Sequence, residues 1–162
     1  MKFQVERIQD IVEEIKELHR EHFVETEVPY KGESFNPDYN QFCDLERAGS
    51  FVLFTIRDGL KLVGNLGFVL HISRHTSRPS AYEDFYFVLP EYRRGFLAIR
   101  FLRYAVRVLA ESGYEEIGMS SKLTANKDIE PILTRVGFRP VAKFYHIEGK
   151  DVLQSTQSAA SA

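Results

Sequence analysis

Residues 85–102, Phe-Tyr-Phe-Val-Leu-Pro-Glu-Tyr-Arg-Arg-Gly-Phe-Leu-Ala-Ile-Arg-Phe-Leu, constrain this chain more than any other stretch. The aromatic, apolar run up to Leu89 reads as a buried strand, Pro90 stops it, and a long apolar pattern begins a few residues later. A strand that turns through Arg93, Arg94 and Gly95 into a helix makes a place for an anion. The first backbone N–H groups of a helix have no partner inside it, and the macrodipole puts partial positive charge there. The arginines add formal charge, and Gly95 lets the backbone approach a ligand closely. The expected occupant is a phosphorylated cofactor; the plain alternative is a solvent-exposed turn.

The rest of the chain supplies alternating elements around this centre. Phe3 to Val5 is a short strand. From Gln9 to about Glu27, Ile8, Ile11, Val12, Ile15, Leu18 and His22 recur at helical spacing, with Glu13, Glu14, Glu17 and Glu21 opposite. Asn36-Pro37 predicts a second helix, capped by Asn36 with Pro37 in its first position, running to Ala48. Phe51 to Arg57 and Leu60 to Ile72 form a strand pair turned at Asp58-Gly59. A polar loop from Ser73 to Ser80 leads to the aromatic strand, from about Tyr82 to Leu89. The central helix runs from roughly Gly95 to Glu111 and is nearly buried, because Arg100, Arg103, Arg107 and Glu111 form one narrow stripe. Glu115 to Ser121 is a fifth strand, a short helix capped at Asp128 ends at Gly137, and Phe138 to Ile147 is a last strand. Gln154 to Ala162, rich in Ser, Ala and Gln, is expected to be disordered.

A chain of 162 residues fits one domain, here residues 1–150, and can bury a real core. Net charge is −2, unevenly placed: residues 1–49 carry 6 Lys/Arg against 12 Asp/Glu, and the remainder 15 against 11. That asymmetry suggests two ligands of opposite sign, although a solvated helix face explains much of the acidity. Overall acidity argues against nucleic acid as a partner, and no apolar run reaches the ~18 residues of a membrane span. One cysteine, Cys43, makes no internal disulfide and has no partner at zinc spacing, so no metal is expected. The expected location is cytoplasmic.

Val88-Leu89-Pro90-Glu91-Tyr92-Arg93-Arg94-Gly95-Phe96-Leu97-Ala98 resembles the acyl-coenzyme A signature of the GNAT superfamily of N-acetyltransferases. The family pattern is Gln/Arg-x-x-Gly-x-Gly/Ala after a strand ending in Val-x-Pro. Arg93 falls on the Arg and Ala98 on the last small residue, while Phe96 stands where the middle Gly is usual. Moving back one residue puts Gly95 on that Gly but loses the Arg and the small residue. The next family motif, Asn-x-x-x-x-x-x-Tyr-x-x-x-Gly-Phe, is matched by Asn126 and Gly137-Phe138, with Leu133 at the Tyr position. The Arg-Arg-Gly variant looks most like the short versions carried by tailed bacteriophages, which implies the host cytoplasm.

The resemblance implies an α/β (α+β) GNAT-like fold: a mixed, mostly antiparallel six-stranded sheet with about four helices, in the order β-α-α-β-β-β-α-β-α-β. It implies acetyl-CoA as cosubstrate, held by Val88, Arg93, Arg94, Gly95, Phe96, Ala98 and Asn126. A distortion of the aromatic strand is expected to part it from the Glu115–Ser121 strand, with the N–H of Val88 or its neighbour polarising the acyl carbonyl. Alternation places Asp84 with Tyr86 and Val88 on one face, and Glu83 with Phe85 and Phe87 on the other. Asp84 matches the family's general base, and Glu83 is the second candidate. With Leu133 in place of Tyr, the proton donor is left to Tyr145, Tyr86, Ser121 or water. The acceptor is an amine, on a protein lysine or a small cationic molecule. A catalytically silent module that binds coenzyme A or a host protein is the rival reading, favoured by Phe96 and Leu133. One strand after Gly137, where the family has two, leaves an open edge that a second subunit of a homodimer could complete.

Overall fold

Asp58-Gly59 turns the sheet's central hairpin. Gly59 takes φ +60°, a conformation nearly free of cost only for glycine, and β2 (Phe51–Asp58) there folds back into β3 (Lys61–Ile72). Of the 162 residues, the computed structural model describes 1–26, 34–122, 128–147 and 149. Five strands lie in the order β1-β2-β3-β4-β5, with β1 at Lys2–Glu6, β4 at Pro79–Val88 and β5 at Glu116–Gly118. The first four pair antiparallel, and β5 joins β4 in parallel.

Helices cover both faces because strand alternation makes both apolar. On one face lie α1 (Val12–Thr26) and α2 (Tyr39–Arg47), where His19 meets Phe85 at 4.4 Å between centroids and Phe42 meets Phe51 at 5.3 Å. On the other lies α3 (Leu97–Glu111), whose Phe101 contacts Phe3 at 5.4 Å and Tyr86 at 6.4 Å. Phe54, Phe68, Phe101, Ile56, Leu66 and Leu102 are fully enclosed. Burial of each such side chain contributes about 1.5–3 kcal/mol. The arginine stripe of α3 stays wet, although Arg100 lies over the Phe3 ring and Arg103 Nη2 donates to the Arg135 carbonyl at 3.0 Å. That last bond ties α3 to α4 (Glu130–Val136), which ends at Gly137 with φ +118°.

Three expectations change. The cap of α2 is Asp38, whose Oδ1 accepts from the N–H groups of Asn40 and Gln41 at 3.0 and 3.1 Å; Pro37 precedes the helix. The fifth strand shrinks to three residues. No sixth strand forms over 138–147. Pro140 has no N–H for a ladder, and Val141, Phe144 and Tyr145 are 95, 93 and 84% exposed, so these side chains do not hold the segment to the sheet. Asn126 and the expected tail lie outside the described residues.

Candidate active site

The site begins with a break in regularity in β4. Leu66 opposes Tyr86 and Gly67 opposes Phe85, but Phe68 opposes Glu83, so Asp84 is the extra residue of a β-bulge. Directly opposed residues share a face, so the bulge moves Glu83 onto the face of Tyr86 and Val88. Unbroken alternation had placed it with Phe85 and Phe87; one inserted residue reverses that.

Beyond the bulge β4 loses its neighbour. It holds β5 only through Ser80, Ala81 and Tyr82. Gly118 permits the last of these pairings, since a Cβ there would collide with the Tyr82 ring. Past that point a side chain bridges the parting strands: Glu83 Oε2 accepts from the Ser120 N–H at 3.1 Å and its Oγ at 2.8 Å.

The direction of the free edge follows from one bond. The Leu89 N–H donates to the Val63 carbonyl at 2.9 Å, which makes Val63 and Leu89 a hydrogen-bonded pair. In an antiparallel ladder such pairs alternate with pairs whose polar groups point away from each other. Gly64–Val88 is of the second kind, so the Val88 N–H and C=O face the gap.

Gly95, at φ +64°, turns the chain into α3, with Arg94, Gly95 and Phe96 exposed. Phe96 is the N-cap and supplies no side-chain cap; the Arg100 N–H makes the bond to its carbonyl, at 2.9 Å. The N–H groups of Leu97, Ala98 and Ile99 are therefore left for an outside acceptor. Phe96 has φ −104°, which needs no glycine, and its ring is 69% exposed, so it does not fill the cradle. A pyrophosphate fits this donor set.

Arg93 does something else. The sequence reading puts it on the cofactor, yet its Nε donates to the Val88 carbonyl at 2.6 Å, and Nη1 and Nη2 to Glu25 at 2.6 and 2.7 Å. Its guanidinium lies 4.9 Å from the Phe87 centroid, and His22 stacks on the same ring at 5.1 Å. Burial, helped by the charges of Lys122 and Arg93 and opposed by Glu25, lowers the His22 pKa to about 4. Glu25 and His22 border the candidate site, and motif reasoning missed them. Helical spacing from Ile15 and Leu18 through His22 to Glu25 was the signal that carried them.

The two acids differ. Glu83 is held by Ser120, whereas no hydrogen bond from the described residues holds the Asp84 carboxyl. Glu83 is half-buried and Asp84 exposed, and partial desolvation raises the pKa of both. Leu133 is buried at 8% exposure and packs with the core, so that position has no proton to give. Tyr86, half-buried near Phe101, is kept protonated by burial, while Tyr145 is exposed. Among the described residues no group of three His, Cys, Asp or Glu could hold a metal ion.

A mixed sheet that parts beyond a bulge in β4, followed by a helix start with no side-chain cap and an arginine beside it, is an architecture that suits an acyl-coenzyme A. The model of the acetyltransferase (GNAT) family matches residues 12–138, and the chain belongs to that family, whose members use acetyl-CoA as acetyl donor. No curated protein matches it in sequence. Among solved structures it is similar to an aminoglycoside acetyltransferase from an uncultured soil metagenomic sample, in complex with sisomicin (TM-score 0.70, 18% identity, covering 91% of this chain and 95% of that one). It is similar too to a ribosomal-protein-alanine N-acetyltransferase of Brucella melitensis (TM-score 0.70, 14% identity, 91% and 99%). A third is a predicted acetyltransferase with acetyl-CoA from Clostridium acetobutylicum (TM-score 0.68, 12% identity, 93% and 97%). At these identities the likeness is one of fold.

Proposed function

We propose that this chain transfers an acetyl group to an amine by direct attack in a ternary complex. The gap between β4 and β5 beyond Tyr82 and Gly118 is the observation that carries this reading, because it is where a pantetheine arm would lie. Bound acetyl-CoA supplies an activated acetyl group as a thioester. Arg94, Gly95 and the backbone from Phe96 to Ala98 hold its phosphates, and Asn126 is proposed to contact the pantetheine arm. The Val88 N–H stabilises the negative charge that develops on the acyl oxygen, a fixed donor in a partly dry site. Asp84 takes the amine proton through water, and Tyr86 or water returns one to the leaving thiolate.

The acceptor is a cationic amine, a protein lysine or a small molecule, placed between α1, α2 and the 73–78 loop. Two similar structures belong to enzymes named for amine acceptors, which supports the class. The acidity of residues 1–49 supports it less, since Glu6, Glu13, Glu14, Glu25 and Asp44 are paired with Arg or Lys in the fold. A cavity of about 540 Å³ is lined by Val12 and Lys16 of α1 and by Asp38, Tyr39 and Cys43 of α2 and its cap. The motif variant at 93–98 supports a short, phage-type member working in host cytoplasm. Buried Leu133 favours the second reading, a silent module that binds coenzyme A without turnover.

Two results test these readings. Acetyl-CoA at 100 times its dissociation constant stabilises the fold by roughly 2.7 kcal/mol, read as a thermal shift. Arg94→Ala weakens that binding, more at low salt than at high. Absence of any shift at millimolar ligand overturns the functional reading. Separately, the far edge of β5 has no strand on it among the described residues, and we infer a homodimer there; light scattering giving a monomer mass at high micromolar concentration removes it.

A further inference from the structure

An open strand edge presents donors and acceptors together. At Val88 both groups face the gap, and a bare carbonyl there would repel any electron-rich oxygen brought beside the N–H. Arg93 covers it. Its Nε donates to the Val88 carbonyl at 2.6 Å, while the other two nitrogens make a two-point bond to Glu25 in the last turn of α1. The pair is only 22 and 27% exposed, and the guanidinium plane rests on Phe87. Charge-assisted, two-point pairing fixes orientation as well as position.

We propose that Arg93 is a positioning residue that makes the edge at Val88 a donor-only site, and that Glu25 holds it in the orientation that does so. This rests on the reading that the Val88 N–H holds the acyl oxygen. Arg93 then acts on the reacting end of the donor and not on its phosphates, although it stands in the phosphate-binding motif. It also ties α1, on the acceptor side, to the peptide beside the acyl group.

Three variants test it: Arg93→Met, which keeps an apolar stem over Phe87 but no donor; Arg93→Lys, which keeps the charge but not the fork; and Glu25→Gln. Turnover is read as thiol release with acetyl-CoA and with S-acetylpantetheine, which has no phosphates of the nucleotide. Calorimetry gives coenzyme A affinity, and isotope-edited infrared spectroscopy gives the carbonyl band of bound acetyl-CoA. Expected is a loss on the order of 10-fold to 100-fold, equal for both donors. Coenzyme A affinity stays near wild type, and the carbonyl band moves to higher frequency as its hydrogen bond weakens. A loss confined to acetyl-CoA and matched by weaker coenzyme A binding makes Arg93 a phosphate ligand and overturns the proposal. So does an unmoved carbonyl band, or full activity in all three variants. Should Arg93→Met fail to fold, Arg93→Lys and Glu25→Gln carry the same comparison. A wild-type protein that does not bind acetyl-CoA fails at the earlier step and overturns the functional reading with it; wild-type binding with unaffected variants overturns this proposal alone.

Discussion

Asp84→Asn lowers acetyl transfer by roughly 10²–10⁴ while stability and coenzyme A affinity stay near wild type, the loss expected when a general base is removed. A lysine-type amine has a pKa of ~10.4 and must shed a proton before it attacks. Of the two acids at the bulge, Glu83 already serves Ser120 across the parted strands, and Asp84 has no such duty. Four residues of strand separate it from Val88, about 13 Å, so the proton travels through water. Desolvation raises the Asp84 pKa above its usual 3.8. A base works only when ionised, so activity falls as pH drops through that raised value, and the acid limb of a pH–rate profile lies above the ordinary aspartate value. Asn at 84 abolishes that limb. If Glu83→Gln brings the loss and Asp84→Asn is silent, the base is Glu83. A selective loss in His22→Gln would move it to α1.

Much of this site is legible in local pattern. The strand–turn–helix centre at 85–102 depends on neighbours in sequence: Pro90 as stop, Gly95 with positive φ, and an apolar run with one charged stripe. Those constraints act within one or two turns of chain, so reading them needs no knowledge of partners. The same holds for Gly59 and Gly137, each at the end of an element in the left-handed region.

What escaped the sequence depends on long-range pairing. The bulge at Asp84 comes from the β3–β4 register, which one strand alone does not reveal, and it reversed the face given to Glu83. Arg93 reads as a phosphate ligand from its motif, and its pairing with Glu25, 68 positions away, leaves no local signal. The 138–147 segment alternates well enough for a strand, but a strand forms only when an edge receives it, and β5 offers three residues. Asp38 outcompetes Asn36 as the α2 cap because its carboxylate reaches two orphan N–H groups at once.

The fold itself is expected to be acid-labile in the window where the two histidines packed on Phe85 and Phe87 would charge. His19, 7% exposed, shares a 3.2 Å hydrogen bond with Tyr39 and lies edge-on to Phe85; His22 stacks on Phe87. Burial, with a smaller push from His22, lowers the His19 pKa to about 4, and His22 is lowered to about 4 as well. In the unfolded chain each titrates near 6.5, so between about pH 6.5 and 4 the unfolded state binds more protons. Stability therefore falls as pH drops through that range. Each group contributes on the order of 3 kcal/mol to the loss, large against a total of roughly 5–15 kcal/mol. Glu83 and Asp84, with raised pKa values, act in the opposite sense, while Glu6, lowered by Arg57 and Thr55 against its desolvation, adds loss only below its ordinary value. Urea unfolding at pH 7, 5.5 and 4.5 measures the net curve, and His19→Gln with His22→Gln isolates the histidine part by flattening it. If the double variant loses as much stability on acidification as the wild type, the two rings are not held neutral and the packing of α1 on Phe85 and Phe87 does not exclude water.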